Sequence, residues 1–130
     1  MKKLPDYREK QSILYIDRRS NKDLIAYGEL CLAEGRLSDA MDFYQKANHI
    51  PGLEEIRNIS EAAGDFMTYQ HVLKALKQVS TDDDWNRIGQ QAVEQKKYSF
   101  ALHAFQKSNN AAKVEEVRNM ILLEDKIKPS

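Results

Sequence analysis

Apolar residues recur at helical spacing along most of the chain. Leu24, Tyr27, Leu30 and Cys31 keep an i, i+3, i+4 rhythm, which predicts a helix from Asn21, read as its N-cap, to Gly35, read as a left-handed C-terminal cap. A second helix follows Ser38 through Ala40, Met41, Tyr44 and Ala47, and breaks over Asn48 to Gly52, where Pro51 cannot continue it. Leu53, Ile56, Ile59 and Ser60 share one helical face. Gly64, Asp65 and Phe66 read as a turn, and Tyr69, Leu73 and Leu76 form the face after it. Thr81 to Asp84 caps a further helix with Trp85, Ile88, Ala92 and Val93 inward. Its partner carries Tyr98, Ala101, Leu102 and Phe105 and ends at Asn109 and Asn110. A last helix from Ala111 shows Val114, Val117, Ile121 and Leu122. At the other end, Pro5 and Asp6 open a helix to about Asp17, with Tyr7, Ile13, Leu14 and Ile16 irregularly spaced. No segment reads as a strand, and gaps this short demand antiparallel neighbours.

The pattern repeats. At an offset of 61 residues Gly28 meets Gly89, Ser38 meets Ser99, Ala40 meets Ala101 and Tyr44 meets Phe105; Gln45-Lys46, Glu54-Glu55 and Arg57-Asn58 meet identical pairs. One ungapped offset carries every match. It spans two helical hairpins, the middle segment being the second. The reading is an all-α chain of three antiparallel helical hairpins with an additional helix at each end. Residues 1–20 form a basic N-terminal helix or flank. Residues 21–123 form the repeat domain, with hairpins at about 21–49, 50–79 and 81–110 and a closing helix at 111–123. Residues 124–130 form a polar tail expected to fray. Gly28 and Gly89 are expected to allow close backbone approach within a hairpin, with Ala40 and Ala101 doing so from the opposite helix. Tyr44, Leu73 and Phe105 are read as knobs filling the gap to the next hairpin.

This arrangement resembles the tetratricopeptide repeat (TPR) family over residues 21–122. The first unit offers Leu24, Tyr27-Gly28, Cys31, Gly35, Leu37, Ala40, Tyr44 and Ala47. The third offers Trp85, Ile88-Gly89, Ala92, Tyr98, Ala101, Phe105 and Ser108. The middle unit departs from the pattern: with Leu53, Ile56, Ser60, Gly64, Phe66, Leu73 and Leu76 in place, Arg57 stands for the packing Gly and Tyr69 for the tight Ala. The units are also shorter than the family's usual repeat, and the irregular hairpins of coat-complex and trafficking subunits are a neighbouring kind. The resemblance implies a right-handed α-α superhelix and a non-catalytic adaptor that binds a protein or peptide in the groove of the first helices. Carried over, that surface is Lys22, Ile25, Glu29, Leu32 and Ala33; then Glu54, Asn58, Glu61 and Ala62; then Asp83, Asn86, Gln90, Val93 and Glu94. Ile25 and Glu29 stand where some members carry the first residues of a clamp for a chain-end carboxylate. A polar or basic partner segment is therefore expected instead.

Charge and chemistry narrow the picture further. Twenty basic and twenty acidic residues cancel, which argues against an obligate nucleic-acid binder. The cancellation hides a bias, since Lys2, Lys3, Arg8, Lys10, Arg18, Arg19 and Lys22 make the first 22 residues basic. An ordinary solvated flank is the reading preferred over an arm for acidic partners. The lone Cys31, on an apolar face, reads as a buried, inert thiol in a reducing compartment. His71 and His103 occupy equivalent second-helix positions, where the first unit has Asp42. Equivalent spots in stacked repeats lie about 10 Å apart, too far to share a metal. His49 reads as solvated in a loop. Asp82, Asp83 and Asp84 read as a helix cap, not as a cation loop. No phosphate, dinucleotide, zinc or nucleophile motif is present. No catalytic residue, cofactor or metal is expected. A membrane-length apolar run and a signal-peptide core are both lacking, so the expectation is a cytoplasmic protein. The start at Met1 and the polar tail give the expectation of a complete small protein.

Met120, Ile121, Leu122 and Leu123 exceed one helical face. They carry the alternative reading: a structural or assembly subunit, or a weak homodimer through the C-terminal helix, acting through the solenoid ends without a peptide groove. The packing reading has a direct check. Ala101→Leu is expected to overpack the third hairpin and cost about 1–3 kcal/mol in thermal unfolding; a change near zero would put Ala101 on the surface.

Overall fold

The computed structural model describes residues 4–16 and 20–127. The predicted end of the first helix at Asp17, the flank residues Lys2, Lys3, Arg18 and Arg19, and the last three tail residues lie outside them. The described residues are helical throughout, with no strand. The helices are α1 (Tyr7–Gln11), a π-helical turn (Ser12–Ile16), α2 (Asn21–Ala33), α3 (Leu37–Lys46), α4 (Ile50–Ala63), α5 (Phe66–Leu76), α6 (Asp82–Glu94), α7 (Tyr98–Lys107) and α8 (Ala111–Ile127). They pair as α2–α3, α4–α5 and α6–α7, flanked by helices at both ends. The chain divides into two compact units, Met1–Ile56 and Arg57–Ser130.

One backbone frame is used three times. Gly28, Arg57 and Gly89 hold the same place in the first helix of each pair. Seven residues on, Gly35, Gly64 and Lys96 adopt φ of +74, +64 and +59°, and two residues later the second helix begins. Twenty residues on from the starting position, Asn48, Lys77 and Asn109 adopt φ of +54, +57 and +57° and end that helix. Left-handed residues release the chain from a helix while its last carbonyls still find donors. Here His49, Gln78 and Asn110 donate N–H groups back to Tyr44, Leu73 and Phe105 at 2.8–3.0 Å.

In the first unit the ring of Tyr44 fixes the packing. A Cβ on Gly28 would lie 2.5 Å from it and one on Gly52 2.7 Å, so the ring is held against two bare stretches of helix backbone, one on α2 and one on α4. This corrects the expectation for Gly28 and Gly89. The missing Cβ makes room for an aromatic ring, not for a neighbouring backbone; at Gly89 the ring is Phe105, 2.6 Å from a built Cβ. Ala40 and Ala101 are fully buried. The first helix opens as expected, with Pro5 before it and Asp6 as its cap, accepting the Glu9 N–H at 2.8 Å, and helical backbone continues to Ile16, α-helical to Gln11 and π-helical after it. In the π-helical turn the consecutive Ile13 and Leu14 are both buried.

In the second unit the 57–76 hairpin stacks on the α6–α7 hairpin. Backbone meets backbone at Gly64, where a Cβ would fall 2.5 Å from the Ala92 nitrogen. The last carbonyls of α4 are taken by α6–α7 side chains: Gln95 Nε2 donates to Ala62 at 3.1 Å and Lys97 Nζ to Ala63 at 2.8 Å. Phe66, Tyr69, Leu73, Trp85, Ile88 and Ala104 form one core. Trp85 meets Tyr69 edge-on at 5.4 Å and Phe66 at 5.6 Å. Ala92, Ala101, Phe105 and Val117 form the next, joining α8 to the pair before it.

Three boundaries differ from expectation. Ser20, not Asn21, caps α2, accepting the Asp23 N–H at 3.3 Å. Pro51 lies inside the first turn of α4, where a missing N–H costs nothing. Helix α8 runs through the predicted tail to Ile127, since Glu124, Asp125 and Lys126 are compatible with helix and Lys126 suits its negative end. Thr81 and Asp84 form the expected cap, as a reciprocal box with bonds of 3.2 and 3.0 Å.

The left-handed glycines differ in their surroundings. Gly35 has open space where its Cβ would be, and its counterpart Lys96 already carries a side chain. Gly35→Ala should cost about 1 kcal/mol of backbone strain, whereas Gly64→Ala, which also meets the α6 backbone, should cost about 3 kcal/mol or more. Urea unfolding of the two variants side by side checks this, and equal losses would sink the backbone-approach account.

Candidate interaction surface

The middle hairpin keeps the frame and breaks its filling. Arg57 replaces the glycine, Tyr69 stands where the others have Ala40 and Ala101, and Leu73 replaces Tyr44 and Phe105. The link to the next helix also grows. Four residues, Gln78 to Thr81, follow the left-handed Lys77, where His49 or Asn110 alone serves in the other two links. These departures meet in space. Arg57, Tyr69, Leu73, Gln78, Val79 and Ser80, with Asn58, Glu61 and Asp84, line a pocket of about 330 Å³.

The pocket is polar and internally wired. The Arg57 guanidinium donates to the Gln78 side-chain oxygen. The Tyr69 hydroxyl and the Ser80 hydroxyl share a hydrogen bond of 2.5 Å. Burial, with Asp84 and Glu61 nearby, holds the Tyr69 phenol above its ordinary range, so it stays a neutral donor and acceptor. On the α6 side, Arg87 bridges two acids, Glu61 at 3.1 Å and Asp84. The Thr81 backbone N–H, despite some desolvation, holds Asp84 below the usual carboxylate range, with the Thr81 hydroxyl and Arg87 contributing. Beside this pocket a smaller furrow of about 170 Å³ runs between α4 and α6, lined by Asn58, Glu61, Ala62, Arg87 and Gln91.

Of the residues read from sequence as a groove, Asn58, Glu61 and Ala62 come together here. Asp83, Gln90 and Glu94 are exposed on α6, and Val93 is half-buried. Asn86 instead serves the fold. Its side-chain oxygen accepts from Ser108 Oγ at 2.6 Å and Asn110 Nδ2 at 3.2 Å, tying α6 to the α7–α8 turn. In the first unit Lys22, Glu29 and Ala33 are exposed and Ile25, Leu32 and Glu54 half-buried. Glu29 joins Ala26, Leu30 and Ala33 along a shallow strip of α2. Sequence reasoning missed Arg87 and Gln91, one residue to the side of the chosen stripe. It noted Arg57 and Tyr69 as departures without reading them as a site. Their coincidence with the shrunken Leu73 and the longer link was the available signal.

The other candidates resolve simply. Cys31 is fully buried, and burial raises its thiol pKa. His49 packs against Tyr44 at 5.2 Å, half-buried, where sequence suggested solvent. His71 is exposed, and His103 stacks on Phe66 at 5.4 Å. Among the described residues no three His, Cys, Asp or Glu side chains lie close enough to hold a metal ion, and no helix is long and apolar enough to cross a membrane. Comparison of the chain with family models, with curated proteins and with solved structures found no match.

One charged cluster lies in the first unit. Lys10 of α1, only 8% exposed, reaches Asp39 at 2.6 Å and Asp42 at 2.7 Å on α3, and Arg36 shares Asp39. Desolvation disfavours both charges, but the hydrogen bonds outweigh it. Lys10 is raised above its ordinary value and Asp39 held below its own. Lys10→Met should therefore lower stability by about 1.5–3 kcal/mol at neutral pH. The Asp39 share is present above its unfolded pKa of about 4 and fades as pH falls through its lower folded value. The Lys10 share is present below about 10.4 and fades as pH rises through its higher folded value. Urea unfolding of both proteins in acid, at neutrality and in alkali should show the gap widest at neutrality; a pH-independent gap would assign Lys10 to packing alone.

Proposed function

We propose that the protein is a non-catalytic interaction adaptor, a TPR-like solenoid that holds a protein or peptide segment along the first helices of its hairpins. The observation that carries this reading is the open furrow between α4 and α6, with Asn58, Glu61, Ala62, Arg87 and Gln91 on its walls. A furrow between successive first helices suits an extended segment laid across the stack. The Glu61–Arg87–Asp84 group carries one negative charge in excess and favours a partner with basic or amide groups there.

A second reading, an assembly subunit joined through its end, is favoured by Leu122 and Leu123. They are 58% and 59% exposed on α8, next to the half-buried Met120 and Ile121.

Affinity capture with the wild type and an Ala62→Lys/Gln91→Lys variant separates the two. Both sites can carry lysine with a stability change within about 0.5 kcal/mol. Ser99→Lys/Gln106→Lys, on exposed positions of α7, serves as the charge control. Partners held by the wild type and the control but lost from the furrow variant are the expected result. Equal recovery from all three would move the function to the ends.

A further inference from the structure

We propose that copies of this chain join to one another, with Leu122 and Leu123 on α8 of one copy stacked on Ala26 and Leu30 of α2 in the next. The proposal deepens the second reading above and rests on it, since it names what α8 meets. Its ground is the 61-residue repeat. Inside the chain α4 stacks on α6 through Glu61 and Ala62 on one helix and Arg87 and Gln91 on the other, and Glu61 and Arg87 form an ion pair at 3.1 Å. At the repeat offset Glu61 and Ala62 become Leu122 and Leu123 of α8, while Arg87 and Gln91 become Ala26 and Leu30 of α2. Both halves of one stacking contact therefore recur, each on a helix face open to solvent. Leu122 and Leu123 are exposed, and Ala26 and Leu30 lie along the shallow strip of α2.

The two faces have changed together. Glutamate has become leucine on one, and arginine has become alanine on the other. A change on one face alone would set an unpaired charge against an apolar surface, which burial makes costly. Instead the faces match, apolar to apolar, as suits the charge-depleted centre of an interface between chains. Stacked repeats stay single when their end faces are polar; here the seam inside the chain carries the ion pair and its two open counterparts are apolar. The surroundings change in step. Gly64, which lets α4 touch the Ala92 backbone, is Asp125 in α8. The two backbones then stand farther apart, and Leu123 in place of Ala62 fills the wider gap. Gln95, which donates to the Ala62 carbonyl, is Glu34 at the end of α2. Helix α8 runs on to Ile127 and brings Lys126, in the turn after Leu123, toward that acid. A second copy carries the matching face in the same repeat frame. Because the two faces differ, each contact is head to tail, whether copies meet reciprocally, close a ring or continue in series.

Sedimentation velocity over a concentration series tests it. One helix on one helix lies at the small end of specific interfaces, so the mass is expected to rise between about 10 μM and about 1 mM. Leu122→Lys and Ala26→Lys should each weaken association about ten-fold or more, by setting a charge against an apolar face. Ser99→Lys/Gln106→Lys should leave it unchanged. The decisive arm mixes the two single variants. Each keeps the face that the other has lost, and the two spoiled faces repel through their lysines. The mixture should regain association as pairs held by one contact and nothing larger, which also shows that both variants are folded. A wild type that stays monomeric to about 1 mM sinks the proposal and the end-joined reading together. Association lost in Leu122→Lys and kept in Ala26→Lys would retain that reading, as a dimer through α8 alone, and overturn the contact with α2. A mixture no more associated than either variant overturns it too, as does association indifferent to Leu122→Lys.

Discussion

An aromatic ring laid on a helix that has no side chain beneath it is the contact on which the hairpins depend. Tyr44 on Gly28 and Phe105 on Gly89 bring two helices together through one face of a ring, leaving each ring about 1% exposed. Glycine inside a helix costs about 1 kcal/mol of stability, and burial of a full ring offsets it. Because the ring is rigid and the backbone beneath it is fixed, the spacing of the two helices is set once. The left-handed residues at either end of the second helix recur at the same positions in each pair. That division of labour explains how the middle pair can lose both ring and glycine and still keep the frame.

The interior of the middle pair is rebuilt with other means. Tyr69 enters from the position of the missing alanine, and Trp85 and Phe66 close around it. The α4 carbonyls that would end in solvent are taken by Gln95 and Lys97, and Gly64 lets α4 and α6 touch. The first unit uses a different fastener. Lys10 reaches two acids of α3 from the helical segment Tyr7–Ile16, shorter than an isolated helix needs to persist in water.

Helix positions and pairing were legible from hydrophobic spacing, and the 61-residue repeat revealed Gly28 and Gly89 as equivalent. Their job was not legible: a glycine in a helix signals close approach, but the sequence does not say whether a ring or a backbone approaches. Pro51 misled because proline both stops one helix and starts the next. The π-helical turn at Ser12–Ile16 was not legible, since adjacent inward residues such as Ile13 and Leu14 also occur in the α-helices, as Phe43 and Tyr44 do in α3. Of the surface, Asn58 and Glu61 were found because they follow the first-helix stripe. Arg87 and Gln91 were missed because a one-residue shift rotates a helix face by about 100°. Asn86 fitted the stripe and turned out to serve the α7–α8 turn, a use that depends on residues 22 and 24 places away.

The four-residue link after Lys77 carries a consequence for how such a protein can change. Gln78, Val79 and Ser80 wall the pocket, yet Val79 is 96% exposed, and the frame is complete before and after the link. A change at Val79 would therefore alter the pocket wall without touching the packing of Phe66, Tyr69 and Trp85.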